Sequence, residues 1–433
     1  MSGPALGAAG FVAVLLLIAL RVPVGVAMAA VGALGYGLAA GWSTLPFVLG
    51  RAPFDAVFAP SLAVLPLFIV MGVYAAHGGL ARALYEAVAA FLGHLRGGLA
   101  MATVGACAVF GAICGSAIAT AATMGRVALP EMRRLGYDER LAAASVAAGG
   151  TLGVMIPPSI LFVLYGLMTE QSIGKLLAAG VLPGLLGSLL YMLAVRVAIA
   201  RDPRLGPAAT RQPWAVRATA LRAVWPVAVL FATVLGGLYS GWFSPTEAAA
   251  VGAFGAIALA LLLGRLPVSG FLAAARESAA TIGMVVMILI GAGVFNFFLD
   301  TTGFADALVR TVRDLGWDRW TVLLLLVLFY LALGALMDEL AMLFLTIGPV
   351  FKLVTALGFD PIWFGVLFVT LCEIGMILPP VGINLFVIQG VSGLPFGTVV
   401  RGIAPFVAAD LVRLALLVLA PGLALWLPAA LDR

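Results

Sequence analysis

Residues 151–158 read TLGVMIPP and residues 373–380 read EIGMILPP, each inside a long apolar stretch. At an offset of 222, Leu135, Gly136, Asp138, Gly153, Pro157 and Pro158 fall on Leu357, Gly358, Asp360, Gly375, Pro379 and Pro380. At 224, Leu161, Phe162, Val163 and Gly166 fall on Leu385, Phe386, Val387 and Gly390. Upstream, the stretch 79–84 resembles 303–308, and Pro23 matches Pro245. The chain is a duplication. A Gly/Pro break at the same place in both copies of an apolar segment is the sequence pattern of a transport site.

The 433 residues are 64% hydrophobic and 10% charged, with mean hydropathy +1.18. No soluble core needs that much apolar sequence, and apolar runs of about 20 residues recur at bilayer-spanning length. Long runs of Leu, Ala, Val and Gly make the spans helical, because a membrane barrel would show alternating strands of about ten residues. The stretch 8–20 resembles a signal-peptide core but lacks a basic start, so it reads as a first membrane helix. Cys107, Cys114 and Cys372 lie in apolar runs without metal-ligand spacing and read as packing residues. With two histidines, His77 and His94, a His-based metal or acid–base site is not expected. The basic pI, near 9.4, does not point to nucleic acid here, because the arginines fall in loops and set orientation.

Six arginines (196, 201, 204, 211, 217 and 222) face one acid, Asp202, in the stretch joining the copies. That linker is placed in the cytoplasm. Working backwards, a helix near 172–195 enters from outside, and a broken helix over 141–169 starts inside beside Arg133, Arg134 and Arg140. Segment 98–130 then begins and ends on the cytoplasmic side, which makes it a re-entrant hairpin turning at 111–117. Working forwards, spans near 223–240, 244–264 and 279–299 are expected, with Arg276-Glu277 and Glu86 on stretches lying along the interface. An amphipathic stretch 300–319, a second hairpin over 320–350, a broken helix 361–392 and one last helix complete the chain. The two copies therefore run in opposite senses through the bilayer, as an inverted repeat.

A Pro-Pro pair removes two backbone donors and forces the preceding residue out of helical geometry. In hydrocarbon, freed carbonyls cost several kcal/mol each unless satisfied. Cations satisfy them, and half-helix N-termini attract anions, so a break with both ends available can hold Na⁺ beside a carboxylate. One such break could be a simple proline kink. Two, each preceded by a hairpin, argue for a site. Asp338, Glu339 and Glu373 would supply an acidic group for a hard cation, or Asp338 and Glu339 cap a helix. Arg126 could face an anionic substrate or snorkel to the cytoplasm. Asp410 and Arg413, spaced i,i+3, read as a structural ion pair.

At these residues the sequence resembles the large membrane subunit of tripartite ATP-independent periplasmic (TRAP) transporters, of the DctM type, within the ion-transporter superfamily. The phrases that carry the resemblance are Gly115-Ser116 with 119–123 (ATAAT), 129–132 (LPEM), 149–153 (GGTLG), 156–159 (IPPS), 244–250 (SPTEAAA), 373–375 (EIG) and 379–386 (PPVGINLF). It covers essentially the whole chain. Two positions depart from it: Ala117 stands where a second hydroxyl is frequent, and Leu378 where Thr is common. Both shift coordination towards backbone oxygens.

The resemblance implies an all-α elevator-type transporter of about 11 transmembrane helices, two re-entrant hairpins and two broken helices. Residues 1–97, 170–319 and 393–433 would form scaffold, linker, arms and the C-terminal helix, and residues 98–169 and 320–392 the two transport halves. It implies sodium-coupled uptake of an organic acid anion, such as a C4-dicarboxylate or sialic acid, across the bacterial inner membrane. Substrate would come from a periplasmic solute-binding protein, and a separate small membrane subunit of about four helices would enlarge the scaffold in the lipid bilayer. By the same resemblance, Ser116, Gly149, Thr151 and Gly153 would hold one sodium, and Asp338, Glu339, Glu373 and Gly375 a second. The substrate would touch Thr120, Ser159 and Asn384, with Arg126 as a further candidate. No organic cofactor is expected. The rival transporter is a stand-alone sodium–carboxylate symporter needing no binding protein. A membrane enzyme lacks support, because neither HExxH nor GxSxG occurs in the chain.

Overall fold

Helix order follows the duplication. The computed structural model describes residues 2–431, and every regular element in them is helical. The first copy opens with α1 (Gly3–Ala19), α2 (Val24–Ala40), α3 (Leu45–Phe58), α4 (Val64–His77) and α5 (Leu80–Leu92). The hairpin α6 (Gly98–Cys114) and α7 (Ala117–Arg134) comes next, then the interrupted helix α8 (Glu139–Thr151) and α9 (Ile160–Thr169), then α10 (Ile173–Arg201). After the linker helix α11 (Trp214–Arg222), the second copy has α12 (Trp225–Tyr239), α13 (Pro245–Leu262), α14 (Val268–Thr302) and α15 (Phe304–Asp314). Its hairpin is α16 (Arg319–Gly334) and α17 (Glu339–Ala356), its interrupted helix α18 (Pro361–Ile377) and α19 (Ile383–Ser392). The chain closes with α20 (Phe396–Leu419) and α21 (Gly422–Leu431).

Six of these helices are long and apolar enough to cross a bilayer, or seven if α11 and α12, bent by 44°, count as one span. The shorter apolar helices include both halves of the second broken helix. The protein is a multi-spanning, all-α membrane protein with interrupted helices.

The copies exchange partners: α2 packs along α14, and α13 along α4. Glycine makes the first contact possible. A Cβ on Gly25 would lie 2.6 Å from the Met287 carbonyl oxygen, and one on Gly32 2.7 Å from the Phe295 nitrogen. Close backbone approach of this kind is how helices associate where lipid removes the hydrophobic drive.

Two expectations need correction. Arg276 and Glu277 do not lie on a separate interfacial stretch; both are inside the 35-residue helix α14, where Glu277 Oε2 meets His77 Nε2 at 2.8 Å. The same stretch 222 positions earlier is split into α3, a 3₁₀ turn at Pro60–Ala63 and α4. Proline explains the difference: Pro60 forces Ala59 into extended geometry (ψ 114°), and no proline interrupts α14. Finally, the single last helix is two, divided at Pro421.

Candidate functional site

Each hairpin turns tightly. In the first, Gly115 takes a positive φ of 64° that closes α6, and Ser116 caps α7 by accepting from the Ala119 amide at 3.4 Å. The turn is thus Gly115-Ser116 alone, narrower than the expected 111–117. In the second, Asp338 caps α17, its carboxylate accepting from the Ala341 amide at 2.8 Å. Glu339 is the first residue of that helix, buried, with Oε2 unpartnered.

The two breaks differ. In the first, the α-helix gives out at Thr151 and passes through a 3₁₀ turn, Leu152–Val154, before Ser159 caps α9. In the second, α18 stays helical to Ile377, so Glu373 and Gly375 are helical residues. The cause is local. Gly149 and Gly150 weaken the first helix by about 1 kcal/mol each relative to alanine, whereas Leu371 and Cys372 stand 222 positions later. Both Pro-Pro bonds, Pro157-Pro158 and Pro379-Pro380, are cis.

Hairpin and break touch through glycine in both copies. A Cβ on Gly153 would sit 2.8 Å from Gly111 Cα, and one on Gly375 2.5 Å from Gly334 Cα. The last turn of α6 and the 3₁₀ turn after α8, and the last turns of α16 and α18, therefore bring carbonyl-bearing helix ends together. The starts of α7, α9, α17 and α19 supply N-termini with the opposite dipole. Gly180 on α10 completes the first break, since a Cβ there would fall 2.5 Å from the Met155 carbonyl oxygen.

The sequence candidates are distributed over this arrangement. Thr120 is buried, and its hydroxyl, beside the Cys114 thiol, makes no hydrogen bond of ordinary geometry. It lies against the first break, 3.1 Å from where a Gly153 Cβ would stand. Ser159 is buried, its hydroxyl accepting from the Phe162 amide at 3.3 Å and donating to the Val154 carbonyl. Asn384 is buried at the start of α19 and donates through Nδ2 to the Ala147 carbonyl at 3.2 Å, leaving Oδ1 unpartnered. That bond ties the second break to the first broken helix. Gly149 packs on Cys107, whose sulfur would be 3.0 Å from an added Cβ. Arg126 is exposed on α7, apart from the buried polar residues.

The acidic group does not assemble as the sequence suggests. Among the described residues no cluster of three or more His, Cys, Asp or Glu side chains is placed to hold a metal ion. Glu373 accepts from Arg413 Nη2 at 2.5 Å, and the same nitrogen lies 2.8 Å from Asp410 Oδ1, all three residues fully buried. Tyr191 donates to Asp410 Oδ2 at 2.5 Å, and its hydroxyl is 3.3 Å from Thr151 Oγ1. Gly187 leaves room for the guanidinium, because a Cβ there would fall 2.4 Å from Arg413 Nη1. Sequence reading paired Arg413 with Asp410 but missed Glu373 and Tyr191. The signal available was Glu373, a lone charge in an apolar helix, which needs a partner in hydrocarbon.

Residues 11–423 match the family model described as "Tripartite ATP-independent periplasmic transporter, DctM component". The chain belongs to that family. The permease is 38% identical over 371 residues to the C4-dicarboxylate TRAP transporter large permease protein DctM of Pseudomonas aeruginosa, covering 85% of this chain and 86% of that one. It is 33% identical over 371 residues to the ectoine permease TeaC of Halomonas elongata, with the same coverage. Similarity to the isethionate permease DctMQ of Oleidesulfovibrio alaskensis is 32% over 415 residues, 96% of this chain and 65% of that protein. The YdaH transporter of Alcanivorax borkumensis (TM-score 0.58, 17% identical, 88% and 89% covered) shares the fold. So does MtrF of Neisseria gonorrhoeae (TM-score 0.60, 16% identical, 89% and 84% covered). The permease is thus a multi-pass protein of the bacterial inner membrane carrying out TRAP-type secondary transport of an organic-acid-like anion, and not an enzyme.

Proposed function

We propose that this permease takes up an organic acid anion by sodium symport through an elevator motion, receiving substrate from a periplasmic binding protein and working with a separate small membrane subunit. The observation that carries the proposal is the repeated glycine contact, Gly111 with Gly153 and Gly334 with Gly375, which packs the end of each hairpin's first helix against the chain just before each Pro-Pro pair. Paired carbonyl-bearing ends supply oxygen ligands for a cation without a metal-binding carboxylate cluster. The first sodium would lie among Ser116, Thr151 and the backbone of Gly149 and Gly153. The second would lie among Asp338, Glu339 and the backbone around Gly375, with Glu373 held in place by Arg413 rather than ligating freely. The anion would meet the α9 and α19 N-termini and the side chains of Thr120, Ser159 and Asn384.

The buried network supports moving α10 and α20 with the transport halves. Tyr191 and Arg413 bind residues of α8 and α18, and separating them would strand charge in hydrocarbon. The C4-dicarboxylate, ectoine and isethionate relatives suggest that small organic ions are the substrate class.

The test is uptake into proteoliposomes holding both membrane subunits, with the binding protein supplied outside. Accumulation that follows an imposed sodium gradient, and needs the binding protein, is the expected result. Equal uptake under a potassium gradient overturns sodium coupling, and equal uptake without the binding protein overturns the tripartite reading.

A further inference from the structure

We propose that α11 and the turn between α5 and α6 hold the phosphate of an anionic inner-leaflet phospholipid, with Arg217 as its central ligand. Arg217 is buried, 5% exposed, yet Nε and Nη2 have no hydrogen-bond partner. These two nitrogens form one edge of the guanidinium, the fork that grips two oxygens of a phosphate side by side. Two rings stand beside it: the guanidinium carbon lies 5.3 Å from the Trp214 ring centre and 5.6 Å from that of Phe91, and the two rings meet edge to face, 6.4 Å apart. The aromatic contacts hold the guanidinium without using its hydrogen-bonding edge.

The setting selects a lipid. The linker is clasped to the α5–α6 turn, with the Ala209 amide donating to the Gly93 carbonyl at 2.9 Å and the Gly97 amide to that of Gly206 at 2.9 Å. In the same turn His94 Nδ1 is buried without a partner. The stretch from Arg196 to Arg222 has six arginines and one acid, so the local field favours an anion. Helix α11 lies at the mouth of the span α12, bent 44° from it. Trp214, Leu221 and Trp225 are 71%, 60% and 50% exposed, the pattern of side chains immersed at headgroup depth. A soluble anion has no use for that apolar rim. Both nitrogens are shut off from solvent, so the proposed binding requires the exposed Trp214 side chain beside the guanidinium to move. The proposal goes beyond the transport reading and is independent of substrate and coupling ion, needing only α12 as a span with α11 at its cytoplasmic end.

Native mass spectrometry of the full chain with added phosphatidylglycerol or phosphatidylcholine tests it. Phosphatidylglycerol should be retained in preference, and Arg217→Gln should weaken its retention about fivefold, the effect of one basic residue at an anionic surface. Arg217→Lys keeps the charge, loses the fork and should fall between the two. Arg310→Gln, an exposed basic residue of α15, should behave as the parent. Equal retention of both lipids, or parent-like binding by Arg217→Gln, overturns the proposal. Displacement of phosphatidylglycerol by inorganic phosphate overturns it too, by making this a soluble-anion site. If Arg217→Gln does not fold, parent-like retention by Arg217→Lys is the overturning result.

Discussion

Glu373 and Arg413 form a buried ion pair that repeats, 222 positions later, the contact between Thr151 and Tyr191. One sequence position at the end of each broken helix thus meets one position of the helix that follows. The first copy makes the contact with hydroxyls, the second with charges. Asp410 joins them, receiving the Tyr191 hydroxyl and lying beside the Arg413 guanidinium.

Removing the cation from this network should be the costliest change. Arg413→Ala strands two carboxylates at full burial and should destabilise the protein by about 3–5 kcal/mol. Glu373→Gln keeps an acceptor and should cost less. Thermal unfolding of both single variants and of the Glu373→Gln/Arg413→Ala double variant closes the cycle. Additive losses would mean the pair is not coupled.

The glycine contacts should tolerate no methyl group. Gly153→Ala and Gly375→Ala each force a Cβ against backbone, at a cost of about 1–3 kcal/mol, and should abolish uptake. Gly283→Ala, in open space on α14, should be neutral or stabilising by up to about 1 kcal/mol. Uptake surviving Gly375→Ala would show that the hairpin need not seat on the break.

Asp338 either only caps α17 or also helps to hold sodium, and asparagine separates the two. Asn caps as well as Asp, so Asp338→Asn should leave stability within about 0.5 kcal/mol. The sodium concentration for half-maximal uptake should nevertheless rise. An unchanged sodium dependence assigns the residue to capping alone.

Asn384→Asp should impair substrate use. The change removes the donor to the Ala147 carbonyl, a buried bond whose loss costs about 1–3 kcal/mol, and sets a negative charge where an anion is expected. Initial uptake rates over a range of substrate concentrations should show a raised KM. A parent-like KM would place the substrate elsewhere.

Much of this organisation is legible in the chain. Duplicated Gly/Pro phrases mark both breaks, and runs of apolar sequence bounded by arginine delimit the hairpins. What escapes is partner choice across long separations. Nothing near Glu373 in sequence announces Arg413, 40 residues away, and nothing near Thr151 announces Tyr191. The length of α14 escaped for another reason: Arg276 and Glu277 look like an interfacial ending, but a helix free of proline continues through them and pairs Glu277 with His77. The smaller extent of the second break was readable, because Leu371 and Cys372 replace the glycine pair.

Pro60, which divides the first-copy counterpart of α14, has a consequence for the resting carrier. In the proposed inverted repeat, two identical halves related by a two-fold rotation would make the outward-open and inward-open forms equivalent and equal in energy. Here one half has a rigid rod where the other has a jointed one, so the degeneracy is lifted. An unloaded molecule should accordingly wait with its gate towards one preferred side, and ligands must supply the free energy to reverse it.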